Sequence, residues 1–480
     1  MNQSPVIPPY KRYARSFFIA LCLLQPTSYL YASQELLTIQ QLAEQGDAVA
    51  QYKLAVRYTL GEEVAQDNNQ AAVWFRKAAE QGDAEAQFAL AVFYANGLGV
   101  NQDAKQAAAW LRKAAEQGYA EAQFNLGLSY AKGTGVAQDA EQAVAWYRKA
   151  AEQGDAEAQR SLGVSYADGT GVAQDAKQAV AWYRKAAEQG DAVAQFNLGL
   201  SYAYGTGVAQ DAKQAVAWYR KASEQGYAEA QFALAASYAN GLGVAQDAKQ
   251  AVAWYRKAAE QGHAEAQFNL ANSYTMGTGV AQEAKQAVVW YRKAAEQGHA
   301  KAQYLLAVSY AMGDGVAHDD KQAVAWYRKA AEQGHAEAQY LLAVRYAKGE
   351  GVAQDAKQAV TWCRKAAEQG HAEAQFNLAN SYTTGTGVAQ DAKQAVAWYR
   401  KAAEQGHAKA QSNLGARYAT GTGVAQDAKL AYVWLSVAVA NGFSSATELR
   451  DFVAKKLSSS QLEASQRLAG QYFEQYQLHR

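Results

Sequence analysis

Proline is scarce in this chain of 480 residues. Only 4 occur, and with alanine so abundant the composition favours helices over sandwiches or barrels. The two cysteines, Cys22 and Cys363, exclude a disulfide framework. Charge is nearly balanced at +1, so no global field argues for nucleic acid or an anionic membrane surface, and no nucleic-acid partner is expected. Long apolar runs are missing too. The one candidate, "SFFIALCLL" at 16–24, is too short for a comfortable transmembrane helix.

That run has a different meaning. Lys11, Arg12 and Arg15 precede it, and Pro26, "SYLYAS" and the small residue Ala32 follow. A basic segment, a short apolar run and a small residue predict a secretory signal over 1–32, cut near Ala32–Ser33. An uncleaved inner-membrane anchor is the alternative. Cleavage leaves 43 Lys+Arg against 45 Asp+Glu, a net charge of about −2, with no stable membrane insertion expected afterwards. The expected location is periplasmic or secreted.

Self-similarity dominates the rest. "QG" or "NG" closes a helix-like run at Gly46 and then every 36 residues to Gly442, which marks eleven units over 47–442 without an insertion. Every tryptophan, from Trp74 to Trp434, occupies one slot of this unit. The fifth unit, 191–226, reads as two helices. Asp191 caps the first, whose Ala194, Leu198 and Tyr202 form an apolar stripe and whose Gly199 lets another helix approach. Gly205 and Gly207 stop it. Asp211 caps the second, with Gln214 as its capping-box partner and Ala215, Trp218, Tyr219 and Ala222 as its buried face. Such pairs cannot bury their apolar faces alone and must stack on neighbours.

The pattern A-x-A-Q-x-x-L-(G/A)-x-x-Y-x-x-G-x-G-V-x-x-D-x-x-x-A-x-x-W-(Y)-x-x-A-A-x-x-G resembles the Sel-one-like repeat, a relative of the tetratricopeptide repeat. The resemblance covers about 47–442. It implies an all-α fold, an α/α superhelical solenoid whose first helices line a concave face. It also implies an adaptor that holds partners together and does not catalyse. Residues 33–46 are expected to form an N-terminal capping helix, and 443–480 two closing helices with Ser460 and Glu463 in a capping box. The first unit departs from the pattern at "GEEV", where Glu63 stands for the second glycine.

Within the repeat, chemistry competes with structure. The Gly-x-Gly loop could cradle a phosphate, but Asp175 brings a negative charge to the helix start and no Lys follows the second glycine. His263, His299, His335, His371 and His407 stand one per unit at a cap slot. Copies about 10 Å apart cannot share a zinc whose ligands sit about 2 Å away, so no metal is expected. The tryptophans read as core, and Arg184 and Lys185 as solvated charges near a helix end. Cys363, in a slot that usually holds Tyr, reads as a buried thiol. Almost every polar residue recurs, whereas a catalytic residue should be singular, so neither catalytic residue nor cofactor is expected.

What does not repeat is a second stripe on the first helix, at spacing 4-3-4. It reads Val193, Asn197, Leu200, Tyr204 in unit five and Glu265, Asn269, Asn272, Met276 in unit seven. Units nine and ten show Glu337, Leu341, Val344, Lys348 and Glu373, Asn377, Asn380, Thr384. Asn125, Lys132 and Asn413 lie on the same stripe, and Arg57, Arg345 and Arg417 replace Ser beside it. The asparagines at one slot suggest a broken ladder whose amides could donate to and accept from a peptide backbone. The expected partner is a protein or extended peptide held by Asn125, Lys132, Asn197, Tyr204, Asn269, Asn272, Met276, Leu341, Arg345, Lys348, Asn377, Asn380, Asn413 and Arg417, and the protein itself is expected to be a monomer. Drift on a solvated face is the alternative. An envelope enzyme or accessory subunit handling cell-wall glycan or exopolysaccharide, and a secreted factor engaging a host protein, are the other functional readings.

Overall fold

The computed structural model describes residues 27–476, and the signal segment expected at 1–32 lies outside them up to Thr27. All four prolines precede that residue, so none interrupts the helices. The described residues are helical throughout, with no strand among them. They divide into two units, one ending at Tyr227 and one starting at Ala228. The first holds five helix pairs and the second six, followed by the closing helices.

A helix over Thr27–Glu44 runs through the expected cut site, so cleavage after Ala32 would leave Ser33–Glu44 of it. Each pair then follows one plan. In the fifth, the helices are Ala192–Tyr204 and Ala212–Glu224. Asp191 Oδ1 accepts from Ala194 N–H (2.7 Å), the side-chain cap that closes one of the helix's open donors. Ala194 and Leu198 are both 0% exposed, and truncating such a leucine costs about 2–5 kcal/mol. A Cβ on Gly199 would lie 2.6 Å from Tyr219 Cε1, so the two helices touch there because the residue has no side chain.

The turn between the helices shows why two glycines are needed. Gly205 ends the first helix in the left-handed conformation. Gly207, at φ +75, lies against the preceding repeat, and a Cβ on it would sit 2.1 Å from Ala176 O. The loops of repeats two to five and seven to eleven are thus seated on the start of the preceding second helix. Repeat one follows the helix Thr27–Glu44 and lacks the second glycine. There Glu63 takes the slot at φ 61, and its carboxylate pairs with Arg57.

Two capping expectations are corrected. Asp211 caps the second helix through Lys213 N–H (2.9 Å) and Gln214 N–H (3.1 Å). No capping box forms with the Gln214 side chain, because Asp211 N–H already donates to Tyr202 O (2.9 Å). At the C-terminal end the box belongs to Ser458 and Gln461, joined by reciprocal bonds of 3.0 and 3.3 Å. Ser460 already lies inside the helix Ser459–Tyr476. That helix and Thr447–Ala454 cover the last repeat, where Trp434, 4% exposed, packs against Tyr472 and Tyr476.

Candidate peptide- or protein-binding face

The variable stripe is half open. Asn197 and Leu200 are half-buried, while Tyr204 at the helix end is 77% exposed. Met276 and Met312 hold the same end position and are 74% and 77% exposed. Asn125, Asn413 and Leu341 are half-buried, and Lys132 and Lys348 are exposed.

No stripe asparagine bonds another among the described residues, and three of the five amides at the first slot are engaged within the protein. Asn125 Nδ2 donates to Glu121 O (2.7 Å) and Asn269 Nδ2 to Glu265 O (2.9 Å). Asn377 Nδ2 reaches Tyr340 Oη of the preceding repeat (3.3 Å). Asn272 and Asn380 reach inward, their Oδ1 atoms accepting from the buried Tyr291 and Tyr399 hydroxyls (2.7 and 2.6 Å). Asn269 thus shares a helix face with Asn272, and Asn377 with Asn380.

The three arginines are tied down. Arg345 Nη1 bridges Asp320 (2.7 Å) and Glu350 (2.8 Å), with Lys348 Nζ 3.7 Å from Glu350. Arg417 Nη2 donates to Thr383 Oγ1 in the preceding repeat (3.0 Å). Arg57 pairs with Glu35 (3.1 Å) as well as Glu63.

Five histidines are caps whose rings stack on an aromatic, and three of them also meet a carboxylate. His299 Nδ1 accepts from Ala302 N–H (3.1 Å), its ring stacks on Phe268 at 4.6 Å, and Nε2 meets Glu265 Oε2 at 2.9 Å. His371 and His407 repeat this with Glu337 and Glu373. His263 and His335 cap and stack in the same way. Burial lowers the pKa of both below 6.5, opposed at His263 by Glu229 and Glu265 and at His335 by Glu337, with Lys301 adding to the lowering. Among the described residues, no three His, Cys, Asp or Glu side chains stand together as a metal site.

Other polar groups are likewise absorbed by structure. Asp175 fills the helix start that a phosphate would need, accepting from Lys177 and Gln178 N–H (2.9 and 3.1 Å). Burial pushes the Cys363 thiol up to about 12, and its Sγ donates to Ala374 O (3.1 Å). A cavity of about 300 Å³ in the first unit is lined by small and neutral side chains around Tyr183, whose pKa burial raises to about 12.

The family model of the Sel1 repeat matches eleven times in succession, from 48–83 to 408–443. The chain belongs to the Sel1 repeat family. It is similar over 92% of its length, at 44% identity and a TM-score of 0.77, to a protective antigen present in uropathogenic Escherichia coli strains displaying an SLR fold, 95% of which is covered. A Sel1 repeat protein from Oxalobacter formigenes is 37% identical over 64% of this chain and 89% of its own, with a TM-score of 0.53. No curated protein matches the chain. The all-α solenoid expected from the sequence is the fold of these Sel1 neighbours.

Three recurring features of these Sel1 repeats are not read from the sequence. Trp290, Trp326, Trp362 and Trp434 are buried as expected while Trp218 is half-buried, and Lys221 Nζ sits 4.0 Å from the Trp218 ring centre. Ten Trp–Lys pairs at this i, i+3 spacing fall within 3.9–4.1 Å. Arg184 donates to Tyr202 Oη in the next repeat (2.8 Å). The buried Gln195 joins three helices: its Nε2 donates to Ala187 O (3.0 Å) and its Oε1 accepts from Gln225 Nε2 (2.8 Å). The constant letters are the signal, but only packing shows which helix ends they connect.

Proposed function

We propose that this Sel1-repeat protein is an exported, non-catalytic scaffold that binds a protein or extended peptide along the first-helix face and supports complex assembly or signalling. One observation carries the reading. Ala194, Gln195 and Leu198 and their equivalents stay buried and nearly unchanged, while the half-open stripe one step around the helix changes chemistry from repeat to repeat. A constant frame that displays a varied, accessible row fits recognition by many modest contacts.

Photo-crosslinking in the cell envelope tests this. A benzophenone amino acid at Leu200 or Val308 should capture a discrete partner, and one at Ala217 or Ala253, exposed on the second helices, should not. Capture confined to the second-helix positions overturns the reading. Export rests on the basic and apolar residues before Ala32. It predicts a mature chain that starts at Ser33 and partitions with envelope or medium; a full-length chain held in the inner membrane overturns it. The relative described as a protective antigen favours a second reading, a surface or secreted factor that engages a host protein. Antibody labelling of intact cells separates that reading from a periplasmic one.

A further inference from the structure

We infer that the amide pairs Asn269/Asn272 and Asn377/Asn380 are two backbone clasps that hold one extended polypeptide, whose apolar side chains lie on Leu305, Val308, Leu341 and Val344 between them. The inference rests on the proposed reading of the first-helix face and names its occupant. All eight residues belong to the second unit.

The internal hydrogen bonds fix which end of each amide is presented. Thr275 donates its own proton to Ala271 O, so the Tyr291 proton goes to Asn272 Oδ1. Asn272 Nδ2 then keeps both hydrogens, with no acceptor among the described residues, and it is not sealed from solvent. Asn380 is held in the same way by Tyr399, beside a Thr383 that donates to Ala379 O and accepts from Arg417. Asn269 and Asn377 commit Nδ2 to Glu265 O and Tyr340 Oη and leave Oδ1 as an acceptor. Each pair therefore offers one donor and one acceptor, about 5–6 Å apart at Cβ by their i, i+3 spacing. In an extended chain one residue turns its N–H and C=O to the same side, and it can satisfy both at once.

Between the clasps the same slots change character. Leu305 and Val308 in repeat eight, and Leu341 and Val344 in repeat nine, are half-buried and apolar. Three repeat steps of about 10 Å each span roughly nine extended residues at about 3.3 Å apiece. Lys301, exposed and without an ion pair among the described residues, stands one turn before Leu305. Its charge complements an acidic side chain beside the occupant's apolar run.

The test uses the full chain and a phage-displayed library of random dodecapeptides, with affinities of the selected synthetic peptides read by fluorescence anisotropy. Selected peptides should carry a central apolar run with an acidic flank, and Lys301→Glu should turn that flank basic. Asn272→Asp with Asn380→Asp keeps an acceptor for each tyrosine and replaces each donor with a carboxylate. Binding is therefore read at high as well as low salt, to separate the lost donor from added charge. The variant should weaken binding at least tenfold and leave Tm within a few degrees. Tyr291→Phe with Tyr399→Phe frees the amides and should weaken binding several-fold. Selected peptides that crosslink to Val308 yet bind the Asp variant within twofold of the parent overturn the clasp and leave the face reading standing. Peptides that protect only the second helices from hydrogen exchange, or a library that yields no binder, overturn both.

Discussion

The two units use one frame with different polar fittings. In the first, the first-helix caps are Asp47, Asp83, Asp155 and Asp191, with Tyr119 making no side-chain cap bond. In the second, five histidines do this work through Nδ1. Beneath them, Tyr147, Tyr183 and Tyr219 of the first unit face the glycines Gly127, Gly163 and Gly199. Tyr291 and Tyr399 of the second spend their hydroxyls on Asn272 and Asn380. A slot can therefore change its chemistry while the packing around it holds. The second unit has histidine caps and amides bonded to buried tyrosine hydroxyls where the first has carboxylate caps and glycines.

The largest expected effect ignores this difference. Leu198→Ala in the first unit and Leu306→Ala in the second each remove a fully buried side chain and should cost about 2–5 kcal/mol. Unit-resolved hydrogen exchange should show equal losses; a twofold disparity would mean that the frames are not equivalent.

Acid should separate the units. The folded pKa of His263 and His335 lies below the ordinary 6.5, so the unfolded chain takes up protons first as pH falls. Their contribution is full above 6.5 and is lost as pH drops from there through the lowered folded values. The first-helix caps of the first unit include no histidine. Exchange protection between pH 7.5 and 5 should decline in repeats seven to nine and stay flat in repeats one to five. His263→Asp with His335→Asp should abolish the decline.

The smallest effect is the most discriminating. Tyr291→Phe strands the Asn272 carbonyl and should cost about 1–2 kcal/mol. Tyr219→Phe should be near neutral, since its hydroxyl has no hydrogen-bond partner among the described residues. Equal losses in urea melts would show that the Asn272 bond contributes nothing beyond ring packing.

Much of this frame is legible because period, caps and glycine stops are local signals. Asp191, Leu198 and Gly205 announce a helix's start, buried side and end within fourteen residues. The errors lie where a group's partner is distant in sequence. The letters pair Asp211 with Gln214, whereas the Asp211 N–H is held by Tyr202. On the candidate face, the varied stripe can be read from the letters. The inward turn of Asn272 and Asn380 cannot, because it depends on a tyrosine 19 residues downstream across a helix–helix contact.

The glycine seated on the preceding helix has a consequence for how such a molecule can change length. Gly207 leaves no space above Ala176 O, and Gly279, Gly387 and Gly423 sit as tightly on their own neighbours. An extra residue in any of these turns would lift its loop off that seat and pull the next pair out of step. Growth is therefore quantised: the chain can gain or lose a complete 36-residue tile, which carries its own seat with it, but it cannot stretch one.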